Sequence, residues 1–146
     1  MPKVAITDLK YQGDSERGRL GIKSYLVTIP KSSTAPVTIE AETANLGAGS
    51  VVFTVNLTNA AIDYTTKLEV SNDNVVYTGI ARKALDGTET PAGNADIAKG
   101  SAFNLIVSYA DYPRVMAMRF FKLTLTPKSA PSDPNGDVFP VYVVQK

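Results

Sequence analysis

The chain has 146 residues, room for one domain with a real core, and its 15 Lys and Arg against 14 Asp and Glu leave a formal charge of +1. That balance provides no broad field to draw it to nucleic acid or acidic lipid, so neither is expected as a partner. It contains no Cys and no His, which excludes disulfides, thiolate chemistry, sulfur-built zinc sites and every Ser-His or Cys-His nucleophile pair.

Val, Ile and Thr make up 37 of the 146 residues and fall in short runs punctuated by Gly, Pro, Asn and Asp, the pattern of an all-β chain. The opening stretch MPKVAITDLK bears charges at Lys3, Asp8 and Lys10 and does not read as a leader. No apolar run approaches the roughly 20 residues that cross a bilayer. Synthesis in the cytoplasm is expected. After a weak apolar run at 3–7 comes GDSERGR at 13–19, a charged loop whose Arg17 and Arg19 are candidates for docking to a neighbouring subunit. Strands are predicted at 20–29 and 36–42. In the second, Glu40 and Glu42 share one strand face about 7 Å apart, a separation that acid-pair glycoside hydrolysis uses. With no Trp to form a sugar platform, charge on a soluble edge strand explains the pair better.

LGAGS at 46–50 lacks the Gly-Lys-Ser/Thr ending of a phosphate loop and leads into a strand, so it reads as a turn. The strand 51–58 follows, with Val51, Phe53, Val55 and Leu57 on one parity and Thr54, Asn56 and Thr58 on the other. Its NLT matches the glycosylation pattern by chance, inside a strand. Between predicted strands 66–71 and 75–81 lies SNDN, four oxygen-bearing side chains in a row. A calcium loop needs six to eight spaced oxygens, yet no acid follows Asp73 before Asp86. A turn between antiparallel strands fits, because Asn and Asp tolerate positive φ and bond to backbone two residues on.

Residues 82–100 carry Gly87, Pro91, Gly93 and Gly100 and read as a long excursion with a helical turn near Ala95 to Lys99. Strand 102–109 places Phe103, Leu105, Val107 and Tyr109 together. The segment 110–118, ADYPRVMAM, suits a short helix opening at Pro113 with Asp111 as cap. Strand 119–126 sets Phe121, Leu123 and Leu125 against Lys122, Thr124 and Thr126. PKSAPSDPNGD at 127–137 reads as a proline-rich linker to a last strand, 138–144, where Pro140 marks an edge strand or arm able to join a neighbour's sheet. The run PKVAIT is the second candidate for such addition. About eight strands with short connections describe an antiparallel β-sandwich with at most one short helix, a closed barrel being the rival. Most aromatic residues fall on strand-interior parities. Tyr112, Phe120 and Phe139 are candidates for the outside, and with Arg114 and Tyr142 they complete the candidate interface set, protein interfaces being rich in such residues.

LEVSNDNVVYTGIA followed by FNLIVSYADYPRVMAMRFFKLTLT, spanning 67–126, resembles a β-sandwich pattern of structural proteins in tailed bacteriophages. The pattern has a strand ending in a Ser-Asn-Asp turn, an aromatic-bearing strand and a Tyr-Arg-Leu-Thr-type strand. This chain departs from it where Tyr77 stands in place of a Trp and where 110–118 is longer. The resemblance implies a virion component, such as an auxiliary or decoration protein on the capsid shell, and it carries over no catalytic residue. The expectation is a non-enzymatic virion protein without cofactor or metal. It would bind the major capsid protein or other virion proteins in a multi-copy assembly. A tail-tube or tail-fibre subunit and a carbohydrate-binding or adhesive module reading glycans through loops such as 82–100 are the alternatives.

Overall fold

The computed structural model describes residues 22–42, 50–83, 85–86, 88–108 and 119–145. They form ten strands: β1 (Ile22–Ile29), β2 (Val37–Glu42), β3 (Ser50–Asn56), β4 (Tyr64–Ser71), β5 (Thr78–Lys83), β6 (Glu89–Ala92), β7 (Asn94–Ile97), β8 (Ala102–Ser108), β9 (Phe120–Pro127) and β10 (Asp137–Gln145). All pairings are antiparallel, and two sheets result. One has the order β1-β10-β3-β8; the other runs β2-β9-β4-β5-β6, with β7 also on β4. The sandwich is therefore the architecture, and each of the eight predicted strands has a counterpart. The predicted helix at 110–118 and the charged loop at 13–19 lie outside the described residues.

Strict alternation builds the core. Val27 and Ile29 of β1, Val51, Phe53 and Val55 of β3, and Phe139, Val141 and Val143 of β10 point inward from one sheet. Ile39 of β2, Leu68 and Val70 of β4, and Phe121, Leu123 and Leu125 of β9 meet them from the other. Removing such side chains from water stabilises by about 1.5–3 kcal/mol each. The alternation that marked these strands in the sequence is the alternation that packs them.

Three expectations are corrected. The segment 82–100 contains no helical turn among its described residues; β6 pairs with β5, then Gly93, at φ 89°, swings the chain so that β7 pairs with the first half of β4. At the crossing Leu68 N donates to the Gly93 carbonyl at 3.0 Å. The runs ETPA and NADI lack alternation and hold breakers, so only the waiting edges of β5 and β4, respectively, make them strands. Second, β10 is an interior strand, between β1 and β3, and not an edge or a donated arm. Pro140 is tolerated because the β3 ladder begins only at Val141, leaving one flank of the proline without a paired residue. Third, the segment 127–137, read as a linker, is fastened to neighbouring loops: Pro131 is buried and accepts from Ser32 N at 2.9 Å, and Lys128 N donates to the Asp63 carbonyl at 2.9 Å.

Candidate functional site

The outer face of the four-stranded sheet follows from register. Ser24, Tyr142, Thr54 and Asn104 are successive cross-strand partners, one row reaching over all four strands. Thr54 Oγ1 donates to Asn104 Oδ1 at 2.7 Å. On one side of this row stand Val144, Val52 and Ile106, and on the other Leu26 and Pro140. At the outward positions of Ser24–Thr28, Val52–Asn56, Ala102–Ile106 and Val138–Val144 no side chain carries a charge. Leu26, Ile106 and Val138 are 41%, 56% and 40% exposed. An uncharged face on which several large apolar groups meet water is the profile of a contact surface, since one exposed apolar residue is ordinary but a group of them on one neutral face is not.

The opposite sheet presents a different surface. Glu40, Lys122 and Glu69 form a cross-strand row, and Glu69 lies 3.8 Å from Lys122 Nζ and 3.7 Å from Lys67 Nζ. Glu40, half-buried on the edge strand β2, thus stands opposite Lys122 of β9, which agrees with charge on an edge. The side chain of Glu42 is outside the described set.

The SNDN segment folds as a turn. Asp73 Oδ1 accepts from Val75 N and Val76 N, each at 2.9 Å, and lies 2.8 Å from the Ser71 hydroxyl. Ser71 Oγ accepts from Asn74 N at 3.0 Å, and Asn74 sits at φ 60°. Among the described residues no three carboxylates converge. The amides of Val75 and then Val76, followed by the Ser71 hydroxyl, hold the Asp73 carboxyl below its ordinary value of 3.8. A depressed acid lends its order above the ordinary value and loses it as pH falls through the depressed one. The Val75 and Val76 amide resonances are therefore expected to stay constant from neutral pH down to the ordinary aspartate range and to move only below it. A midpoint at or above 3.8 would contradict this geometry.

Beside this turn, the Tyr77 hydroxyl donates to Asn74 Oδ1 and its ring lies 4.1 Å from Lys122 Nζ. Burial, then Glu40, Asp73 and Glu69, raise the Tyr77 pKa. At the root of the turn Phe120, paired to Ser71, is half-buried under the Arg119 guanidinium, 5.3 Å from the ring centre.

Of the candidates read from the sequence, Tyr142 takes the centre of the neutral face and Phe120 stands at the foot of the turn. Phe139 is not outside: it is 1% exposed, its ring centre 4.8 Å from that of Tyr64. It has the inward parity of β10, with Val141 and Val143, and its neighbouring proline suggested the contrary. Arg17, Arg19, Tyr112 and Arg114 lie outside the described residues. Leu26, Ile106 and Val138 are not among those candidates, because only the strand order sets them on one face; Val75 and Val76, which fall in the predicted strand 75–81, lie instead in the turn before β5.

No protein-family model matches the chain, and no curated protein does either. Among solved structures, the chain is similar to the SPBc2 prophage-derived protein YomS, with 11% identity over 86% of this chain and 95% of that one at a TM-score of 0.42. A structure of the disulfide-linked pili of Bacillus endospore appendages gives 13% identity over 85% of each chain, TM-score 0.41. A non-crystalline cellulose specific carbohydrate-binding module, CBM28, gives 12% over 84% and 72%, TM-score 0.43.

Proposed function

We propose that this chain is a non-enzymatic binding protein of a viral particle, an auxiliary or decoration protein that lays the neutral face around Tyr142 on a virion protein, the major capsid protein foremost. The observation that carries the reading is the absence of charge across that face together with its exposed Leu26, Ile106 and Val138. The lack of His and Cys, which withholds the commonest nucleophile and base pairs, and the phage-like pattern over 67–126 support it. Affinity in a multi-copy lattice accumulates from modest contacts, so no single dominant residue is required. Mass spectrometry of purified particles is expected to find the wild-type chain in many copies and the Leu26→Glu, Ile106→Glu variant at least tenfold depleted. The two substitutions lie on the surface and are expected to change stability by only about 0.5 kcal/mol. Particles free of the wild-type chain would remove the proposal.

One observation favours a second reading. The row Ser24, Tyr142, Thr54 and Asn104 is polar but uncharged and lies between apolar rows, an arrangement suited to a neutral sugar chain whose ring faces need apolar contact and whose hydroxyls need hydrogen bonds. On that reading the module is adhesive, and the sheet face, not the loops at 82–100, holds the glycan.

A further inference from the structure

The last strand of a sheet keeps one flank of main-chain donors and acceptors without a neighbour, and its own residues decide whether another chain is barred or admitted. Among the described strands, those at three of the four sheet ends carry charge: Lys23 on β1, Glu40 and Glu42 on β2, and Glu89 beside Pro91 on β6. The fourth, β8, reads AFNLIVS, with no charge, no proline and no glycine. Such a run is what an added strand pairs with most readily. The core is also less closed there. Val27 and Ile29 of β1 and Ile39 of β2 are at most 1% exposed, whereas Phe103 and Leu105, which pack on the core from β8, are only half-buried. Register tells which groups the edge offers. Leu57 N donates to the Ser101 carbonyl at 2.8 Å, and antiparallel ladders alternate by two residues, so Phe103, Leu105 and Val107 turn their main-chain groups to β3. Those of Ala102, Asn104 and Ile106 point off the sheet, where no described strand takes them.

We infer that β8 is a dimerisation edge, pairing antiparallel with β8 of a second copy of this chain about a two-fold axis at Leu105. A strand of the same sequence fits because of what that register sets opposite. Asn104 and Ile106 exchange main-chain bonds with the second copy's Ile106 and Asn104, and Ala102 with its Ser108, which uses the flank that β3 leaves. On the inner side Phe103 meets Val107 and Leu105 meets Leu105, an aromatic with a β-branched residue and two apolar chains, pairs that stabilise adjacent strands. The half-buried row is thereby covered. An axis at Asn104 would instead set Val107 and Ser108 opposite Ser101 and Gly100, beyond the end of the strand. Charge selects this edge over the others, since β2 paired with its copy about Ala41 would put Glu40 opposite Glu42, and like charges so placed repel. Nothing in β8 repels its copy. A two-fold contact of one patch with itself is the commonest in oligomers. It would join two four-stranded sheets into one, with their neutral outer faces side by side.

The dimer does not depend on the virion role, and its test uses the purified full chain alone. Sedimentation equilibrium is expected to give twice the mass of one chain, falling toward a single mass on dilution. Ile106→Pro removes an edge donor that β3 does not use and is expected to weaken self-association by about tenfold or more, while circular dichroism shows a cooperative melt. The register has its own readout. Because the chain has no cysteine, Leu105→Cys introduces its only thiol, and the axis sets two such Cα atoms about 4.5 Å apart, within the roughly 4.4–6.8 Å that a disulfide spans. Oxidation is expected to link that variant into a covalent dimer. Phe103→Cys, whose thiols would stand roughly 14 Å apart along the strands, is expected to stay unlinked. A wild type that is monomeric at every concentration overturns the inference and leaves the neutral face untouched; slow hydrogen exchange at Asn104 and Ile106 in that monomer would assign the edge to another segment of the same chain. A dimer that a folded Ile106→Pro leaves intact, or one that links through position 103 and not 105, overturns it equally.

Discussion

Gly136→Ala is expected to lower stability by about 4 kcal/mol or more, the sum of a left-handed alanine and a backbone collision. Gly136 sits at φ 74°, and an added Cβ would stand 2.1 Å from the Ile29 carbonyl oxygen and 3.0 Å from its carbon. Both obstacles are main chain of β1, which cannot turn aside as a side chain would. The position is also closed from its own side, because Gly136 N donates to the Asp133 carbonyl at 2.9 Å to complete the turn that starts β10. In a domain of this size such a loss lowers the melting temperature by about 10–15 °C. Gly100→Ala provides the control: φ is 82° but nothing lies within 4 Å, so only the strain of about 1–2 kcal/mol remains. Circular dichroism melts of the two variants decide the matter. If Gly136→Ala melts at or above Gly100→Ala, the close approach of the turn to β1 is wrong.

Asp137→Ala is the second substitution with a large expected cost, about 3–5 kcal/mol. The Asp137 carboxylate is 3% exposed. Its Oδ1 accepts from Ala61 N at 2.9 Å and its Oδ2 from the Tyr64 hydroxyl at 2.6 Å. Hydrogen bonds to a charged group contribute about 1.5–3 kcal/mol each, and removing the acceptor takes the partner from the buried Tyr64 hydroxyl and from the part-buried Ala61 amide. The contact joins the loop before β4 to the first residue of β10, thereby fastening the two sheets at one end. Burial first, and then the Asp137 bond, push the Tyr64 phenol far above its ordinary range, so it is a donor at neutral pH. Tyr64→Phe removes one of the bonds and is expected to cost about 1.5–3 kcal/mol. The double variant is expected to cost less than the sum, since the partners share a bond. Urea unfolding of the three variants measures this cycle, and additive losses would contradict the pairing.

How much of this could be read beforehand depends on which forces set each feature. The eight main strands were legible because burial on one face imposes a period of two, visible in Val51, Phe53 and Val55 without any partner in view. The turn at Asp73 was legible because its chemistry is local: acceptor and donors lie within five residues of one another. β6 and β7 were not legible, because their pairing comes from β5 and β4 and not from their own residues. Pro140 misled for a related reason. A proline bars a strand from the interior only where both flanks are paired, and whether they are depends on where β3 stops. The neutral face lay in the sequence as a parity without charge in four separate runs, but only sheet order makes those runs neighbours. Phe139 shows the converse, a core residue placed outside because the proline beside it outweighed its parity.

On the function proposed above, the sheet face around Tyr142 holds a virion protein and performs no chemistry. The most direct test sediments the purified chain with particles assembled without it and titrates it, in parallel, with neutral oligosaccharides. Uptake by the particles, abolished by Leu26→Glu, Ile106→Glu and indifferent to the sugars, is the expected result. No uptake, with sugar binding that Tyr142→Ala removes, would contradict it and make the chain a glycan-binding module.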